Sequence, residues 1–214
     1  MLPAPASIVY SARRSGYWAD LPVEKRLFDV VFAALVAVFL LSWLVPVLAL
    51  LIKLETRGPV FFQQQRTGKD GRSFRCLKFR SMVSNADAVQ ATRGDARITR
   101  VGAFLRRTSL DEMPQFLNVL RGDMSIVGPR PHMLQHTEHY AGLIDNFMDR
   151  HAVRPGITGL AQVSGWRGET KETEAMAQRV RADLRYIARW SLLLDVQIVW
   201  ATLVQSLTGN ANAF

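Results

Sequence analysis

Hydrophobic and polar positions divide this chain into one long apolar run followed by shorter, patterned segments. Val30 to Ile52 is 23 residues without a charged side chain. As a straight helix it would extend about 35 Å, enough to cross a bilayer core of roughly 30 Å. Ser42 and Pro46 fall near its middle, where a proline removes a backbone donor and crowds the preceding turn, so a kink or break is expected there. Both flanks are basic, with Arg13, Arg14, Lys25 and Arg26 before the run and Lys53, Arg57 and Arg66 after it. Positive charge stays on the cytoplasmic side, so symmetric basic flanks give a spanning helix no orientation. They equally fit a helix that enters one leaflet, breaks and returns, each arm being about 17 Å long. In that case Ser42 would help satisfy the backbone groups freed at the break. The residues alone leave the spanning anchor and the re-entrant helix both open.

The rest of the chain alternates short elements. Val60–Arg66 and Ser73–Arg80 read as two strands around a Thr-Gly-Lys-Asp-Gly turn, with Lys78 and Arg80 on one face of the second. Residues 84–96 are small and polar. Ile98, Val101, Phe104 and Leu105 have helical spacing, and Arg93, Arg97, Arg100, Arg106 and Arg107 surround them. Such a basic amphipathic helix suits a headgroup layer. A helix follows Pro114 over 115–121, and Arg154–Gly165 is a glycine-punctuated loop. A charged helix is expected over 172–189, and Ser191–Leu207 reads as a buried or interfacial helix, too polar to span comfortably. The fold class expected is α/β, mostly helical, with a small β-hairpin, a membrane helix that either spans or re-enters, and interfacial amphipathic helices. It divides into a mobile tail (1–22), a membrane helix (23–54) and a membrane-associated domain (55–214).

Composition narrows the partners. With 214 residues the chain makes one domain, or one domain plus an anchor. A net charge of +9 favours a polyanionic partner such as nucleic acid, anionic lipid or a nucleotide diphosphate. No nucleic-acid-binding motif is present, which disfavours the first. Cys76 is alone, so neither an intrachain disulfide nor a cysteine zinc site can form. The first 22 residues hold three prolines and no apolar core of a secretory signal.

Candidate chemistry gathers in residues 109–131, SLDEMPQFLNVLRGDMSIVGPRP. Asp111 and Glu112 are adjacent acids. Ser109-Leu-Asp-Glu112 matches a capping box, the ordinary structural reading of such a pair. The chemical reading makes one carboxylate a nucleophile towards phosphorus. The other would hold Mg²⁺, a cation satisfied by few carboxylates plus substrate phosphates. A helix N-terminus at the pair would add its dipole. Arg130 is stiffened by Pro129 and Pro131, lowering the entropy lost when its guanidinium grips phosphate. Lys78, Arg80 and Arg106 are further candidate phosphate-binding residues. No Walker loop is present. His132, His136 and His139, with Glu138, have the spacing of a zinc site, but imidazoles on a solvated helix are the commoner explanation.

These blocks together resemble the bacterial sugar transferase family, monotopic phosphoglycosyl transferases that depend on polyprenyl phosphate. The resemblance runs from about Lys25 to the C-terminus. It rests on KRLFD (25–29), GPVFFQQQRTG (58–68), KFRSM (78–82), RITRVGAFLRRTSLDEMPQFLNVLRGDMSIVGPRP (97–131) and RHAVRPGITGLAQVSGWRGET (150–170). It implies transfer of a sugar-1-phosphate from a UDP-sugar to undecaprenyl phosphate, releasing UMP. That step would begin exopolysaccharide, capsule or O-antigen synthesis on the cytoplasmic face of the bacterial inner membrane. The resemblance makes Asp111 the nucleophile and Glu112 the Mg²⁺ ligand, with Lys78, Arg106 and Arg130 handling phosphate. It also makes the apolar run a re-entrant helix in an anionic bilayer, and it is compatible with a homo-oligomer. The C-terminal blocks look most like members that transfer glucose-1-phosphate, with galactose-1-phosphate and N-acetylhexosamine-1-phosphate as alternatives. A non-catalytic membrane-surface scaffold is the rival of another class. One departure concerns the membrane helix. The family often carries Ser-Pro at its break, whereas Ser42 is followed by Trp43 and the nearest proline is Pro46, so a break shifted by a turn, or a shallower one, is expected.

Overall fold

The apolar run is helical from Val23 to Glu55, 33 residues without interruption. A computed structural model describes residues 22–83, 95–166 and 172–208. The tail 1–21 with Arg13 and Arg14, the segment 84–94 with Arg93, and 167–171, which holds the end of the last family block, lie outside the described residues. The helix has three parts: α1 (Val23–Val36), a π-helical turn (Ala37–Leu41) and α2 (Ser42–Glu55). The break expected at Ser42–Pro46 does not form: the helix runs on through both residues, and its one irregularity is this widened turn, immediately before Ser42. Side chains take up carbonyls there. Ser42 Oγ donates to Val38 O at 2.6 Å, and Trp43 Nε1 donates to Phe39 O at 3.0 Å. In an apolar surrounding such substitutes are what make a widened turn tolerable. Trp43, the departure from the family's usual proline, is therefore itself a carbonyl partner.

One stripe of this helix is buried along its whole length: Lys25, Asp29, Ala33, Leu41, Leu44, Leu48 and Ile52. These positions recur mostly every four residues, slightly more than a helical turn. A wider π turn midway helps keep the stripe on one side. The opposite face is exposed and apolar: Leu27, Val31, Leu35, Val38, Phe39, Trp43, Val47, Leu50 and Leu54. A contiguous apolar face of this kind marks an interaction surface, and the helix is long and apolar enough to cross a membrane.

Both ends of the helix are fastened to the same globular body. At the N-terminal end, Arg26 donates to Val119 O and Leu120 O at 2.7 and 3.1 Å. These are the last carbonyls of α4 (Gln115–Arg121), which need donors from outside the helix. Lys25 lies between Asp29 Oδ1 and Asp195 Oδ2, at 3.0 and 2.9 Å. Asp29 also accepts from Ser125 Oγ and the Ile126 amide. Asp195 accepts from Tyr186 Oη and Trp190 Nε1. The lysine and aspartate of the KRLFD block thus join α1 to β3 (Ser125–Val127), α7 (Thr173–Ala188) and α8 (Leu192–Thr208). Lys25→Met would leave two carboxylates buried without their cation. It is expected to cost about 3–5 kcal/mol, read as a fall in the thermal midpoint of detergent-solubilised protein.

The hairpin forms as expected, one residue later at its start. β1 (Phe61–Thr67) and β2 (Ser73–Phe79) are antiparallel, with Gln64 opposite Cys76. Its turn places Asp70 and Gly71 at positive φ, which Asp and Gly accept most readily. α3 (Arg100–Arg107) packs Leu105 against Phe79, Leu48 and Ile52. The largest core lies among α1, α4, β3, α7 and α8, around Ala33, Phe116, Val119, Ile126, Tyr186 and Ile198. The glycine-punctuated loop contains an element that its composition did not announce. β4 (Gly156–Thr158) pairs parallel with β3 and leads into a single-turn helix, α6 (Leu160–Val163). A Cβ on Gly156 would sit 2.1 Å from the Gly128 nitrogen, so only glycine allows these backbones to approach so closely.

Candidate active site

Three elements meet at the acidic pair. Lys78 comes from the end of β2, and Arg130 from the loop after β3. Asp111 and Glu112 occupy a short 3₁₀ turn (Leu110–Glu112) between α3 and α4. The capping-box reading does not describe this turn. Ser109 precedes it in the left-handed region, φ 57°, and its side chain makes no capping hydrogen bond. α4 starts only at Gln115, after Pro114. The pair therefore stands ahead of that helix rather than in its first turn, and the expected help from its dipole is not what holds the site.

The two carboxylates are held very differently. Glu112 accepts a bidentate pair from Arg130, with NH2 to Oε1 at 2.6 Å and NH1 to Oε2 at 3.1 Å. Lys78 Nζ adds a third bond to Oε1 at 2.7 Å. The same Nζ stands 3.9 Å from Asp111 Oδ2. Asp111 is 7% exposed. Burial pushes its carboxyl above the ordinary value; Lys78 opposes that, and the charge of Glu112 adds to it. Burial pushes Glu112 the same way, but Arg130 and Lys78 outweigh it and hold that carboxyl well below the usual range. Adjacent acids with opposite shifts can be given different chemical roles. Here Glu112 is a fixed anion, and Asp111 is the less committed group, shielded from water and near a cation.

Of the other expected phosphate-binding residues, Arg106 is in the site's field, acting to lower the Asp111 pKa, and its Nε donates to Ser81 Oγ at 2.9 Å. Arg80 is placed elsewhere. Its guanidinium donates to Arg57 O, to Thr56 O at 2.8 Å and to Ile52 O at 3.5 Å. It closes the C-terminal end of α2, where unsatisfied carbonyls and a negative dipole favour a cation. The strand ends at Phe79, so Lys78 and Arg80 do not share a face within it. The histidines also part company. His132 precedes α5 (Leu134–Ala141) and is buried, 2.8 Å from an Arg150 nitrogen through Nδ1 and stacked on Phe147. His136 and His139 lie on α5 beside Tyr140.

Among the described residues no group of three or more His, Cys, Asp or Glu is placed to hold a metal. A divalent cation here would have to be shared with substrate phosphates, the usual manner of Mg²⁺. Glu112 fits that role: Oε2 accepts one hydrogen bond, from Arg130, which leaves a lone pair for a cation.

With this geometry in view, the comparisons are specific. A family model described as bacterial sugar transferase matches residues 21–209. The chain belongs to the bacterial sugar transferase family. It is 52% identical over 190 residues to the UDP-glucose:undecaprenyl-phosphate glucose-1-phosphate transferase of Escherichia coli (strain K12), covering 87% of this chain and 41% of that protein. It is 50% identical to the protein of the same name from Caulobacter vibrioides, covering 98% of this chain and 80% of that one. The UDP-N-acetylgalactosamine-undecaprenyl-phosphate N-acetylgalactosaminephosphotransferase of Aeromonas hydrophila is 46% identical, over 86% of this chain and 44% of its own. The chain thus spans less than half the length of the Escherichia coli and Aeromonas hydrophila relatives.

Proposed function

We propose that this chain transfers a hexose-1-phosphate, glucose-1-phosphate in the first instance, from a UDP-sugar to undecaprenyl phosphate. The observation that carries this reading is the differentiated pair: a shielded Asp111 beside a Glu112 fixed by Lys78 and Arg130. An Asp111 oxygen attacks the phosphorus that bears the sugar. The bond to the uridylyl oxygen breaks, UMP departs, and an acyl phosphate joins Asp111 to the phosphosugar. An oxygen of undecaprenyl phosphate then attacks the same phosphorus, forming the diphosphate and restoring the carboxylate. Lys78, Arg106 and Arg130 offset the charge on the transferring phosphoryl group. Glu112 would hold Mg²⁺, which when bound would supply further charge neutralisation.

The acceptor's chemistry agrees with the long helix. Its exposed apolar face enters one leaflet without crossing the bilayer, and the catalytic body lies on the cytoplasmic surface of the bacterial inner membrane. Basic flanks on both sides, and attachment of both ends to one body, support this over a spanning anchor. Relatives named for UDP-glucose stand at 50–52% identity against 46% for the N-acetylgalactosamine relative, which favours glucose over the N-acetylated sugar.

UMP release by detergent-solubilised protein, with Mg²⁺, undecaprenyl phosphate and a panel of UDP-sugars, tests this reading. One sugar should dominate, turnover should require the lipid, and initial rates should follow a ping-pong pattern. A ternary-complex pattern, or no release with any donor, would overturn it.

A further inference from the structure

Arg130 is aimed at Glu112 by a loop that is held almost wholly through its carbonyls. Two of its four residues, Pro129 and Pro131, have no amide hydrogen to donate. Each of the four carbonyls accepts from a partner outside the loop. Pro129 O takes the Gly156 amide at 2.9 Å, and His132 O takes the Thr67 amide at 3.0 Å. Between them, Arg130 O accepts from Arg150 NH2 at 2.9 Å and Pro131 O from Arg66 NH1 at 3.2 Å.

Both arginines are themselves braced. Arg66 NH2 donates to Gln64 Oε1 at 2.6 Å. Arg150, 1% exposed, pairs with Asp183 of α7 at 2.6 Å and meets the His132 ring. An apolar side chain would pack this interior at less electrostatic cost. The cost is visible nearby, where burial and the charges of Arg150 and Arg130 push Arg179 down to about 10. What an apolar side chain cannot do is donate to a carbonyl.

We propose that Arg66 and Arg150 are positioning residues, clamping the Pro129–His132 carbonyls so that Arg130 reaches Glu112 in the register the reaction needs. The proposal rests on the transfer reaction set out above, and both residues act through the loop, not on substrate. A loosened loop should displace the guanidinium by about an ångström, a shift that can cost on the order of 10²-fold in rate.

The test uses Arg66→Met and, to avoid stranding a buried carboxylate, the double variant Arg150→Met with Asp183→Leu. Two measurements are made on detergent-solubilised protein. Amide hydrogen exchange in peptides covering Ile126–Met133 should quicken about tenfold in both variants as the loop opens locally. In UMP release, kcat/KM should fall roughly 10–100-fold, with Arg150→Lys recovering part of it. In an Arg130→Ala background the same changes should cost almost nothing further, because the clamp acts through Arg130. Equal losses in both backgrounds, or unchanged exchange, would overturn the clamp. If the unmodified protein releases no UMP from any UDP-sugar, the reaction fails on that count, and exchange alone decides the clamp.

Discussion

Asp111→Asn is expected to lower UMP release by roughly 10³-fold or more while leaving the protein folded, because a neutral amide cannot form the acyl phosphate. Loss of chemistry and loss of fold separate cleanly at this position. Burial already disfavours the Asp111 charge and raises its pKa from an ordinary 3.8. A group whose folded pKa is raised binds its proton more tightly in the folded state, so its ionised form costs stability above that folded pKa. Asparagine removes the charge, and the thermal midpoint of the variant at neutral pH should be unchanged or higher. The same shift gives the acid limb of the unmodified protein. Asp111 must be ionised to attack, so activity should begin to fall on acidification at a pH above 3.8. A second readout avoids turnover altogether. Unmodified protein given UDP-glucose without lipid should release one equivalent of UMP and gain the mass of a hexose phosphate, and the variant should do neither. An Asp111→Asn variant that keeps its activity would exclude the covalent route.

What could be read from the sequence follows the strength of each local signal. The hairpin announced itself through a Thr-Gly-Lys-Asp-Gly turn between two strand-like runs, and it formed with Asp70 and Gly71 at positive φ. α3, α7 and α8 followed from apolar spacing and charge, and each formed within about two residues of its expected bounds. The parallel pair β3–β4 did not show, because three-residue strands carry no periodicity and their pairing depends on Gly128 meeting Gly156 across 28 residues of chain. Asp111, Glu112, Lys78 and Arg130 were singled out by residue type and family blocks, and the fold brings them together. Arg80 looked equivalent to Lys78 because the two are a strand period apart, yet the strand stops between them and the α2 carbonyls claim its guanidinium. Arg66 and Arg150 lie in the family blocks at 58–68 and 150–170, but nothing in those blocks pointed to the Arg130 loop. Each matters through a carbonyl 65 or 20 residues away.

Glu112→Gln is the complementary change, and here both rate and stability should fall. The carboxylate accepts from two cations, and its side chain is 13% exposed against 19% for Lys78 and 30% for Arg130. A glutamine keeps the shape and one acceptor oxygen but loses the charge that balances two cations, leaving them partly desolvated, a loss of about 1–3 kcal/mol. The rate should fall about 10²–10³-fold as preorganised charge near the transferring phosphoryl group is lost. If Glu112 Oε2 is also the cation ligand, the Mg²⁺ concentration for half-maximal activity must rise. The pH dependence has the opposite sense from that of Asp111. Arg130 and Lys78 depress the Glu112 pKa well below 4.5, so its stabilisation is complete above that value and is lost as pH falls through its folded pKa. Glu112→Gln should therefore be less stable than the unmodified protein at neutral pH, with the gap narrowing as the medium is acidified below pH 4.5. Unfolding midpoints measured against pH for both proteins check this. A constant gap would mean that Glu112 works by packing, and that the fixed anion organising Lys78 and Arg130 has to be sought elsewhere.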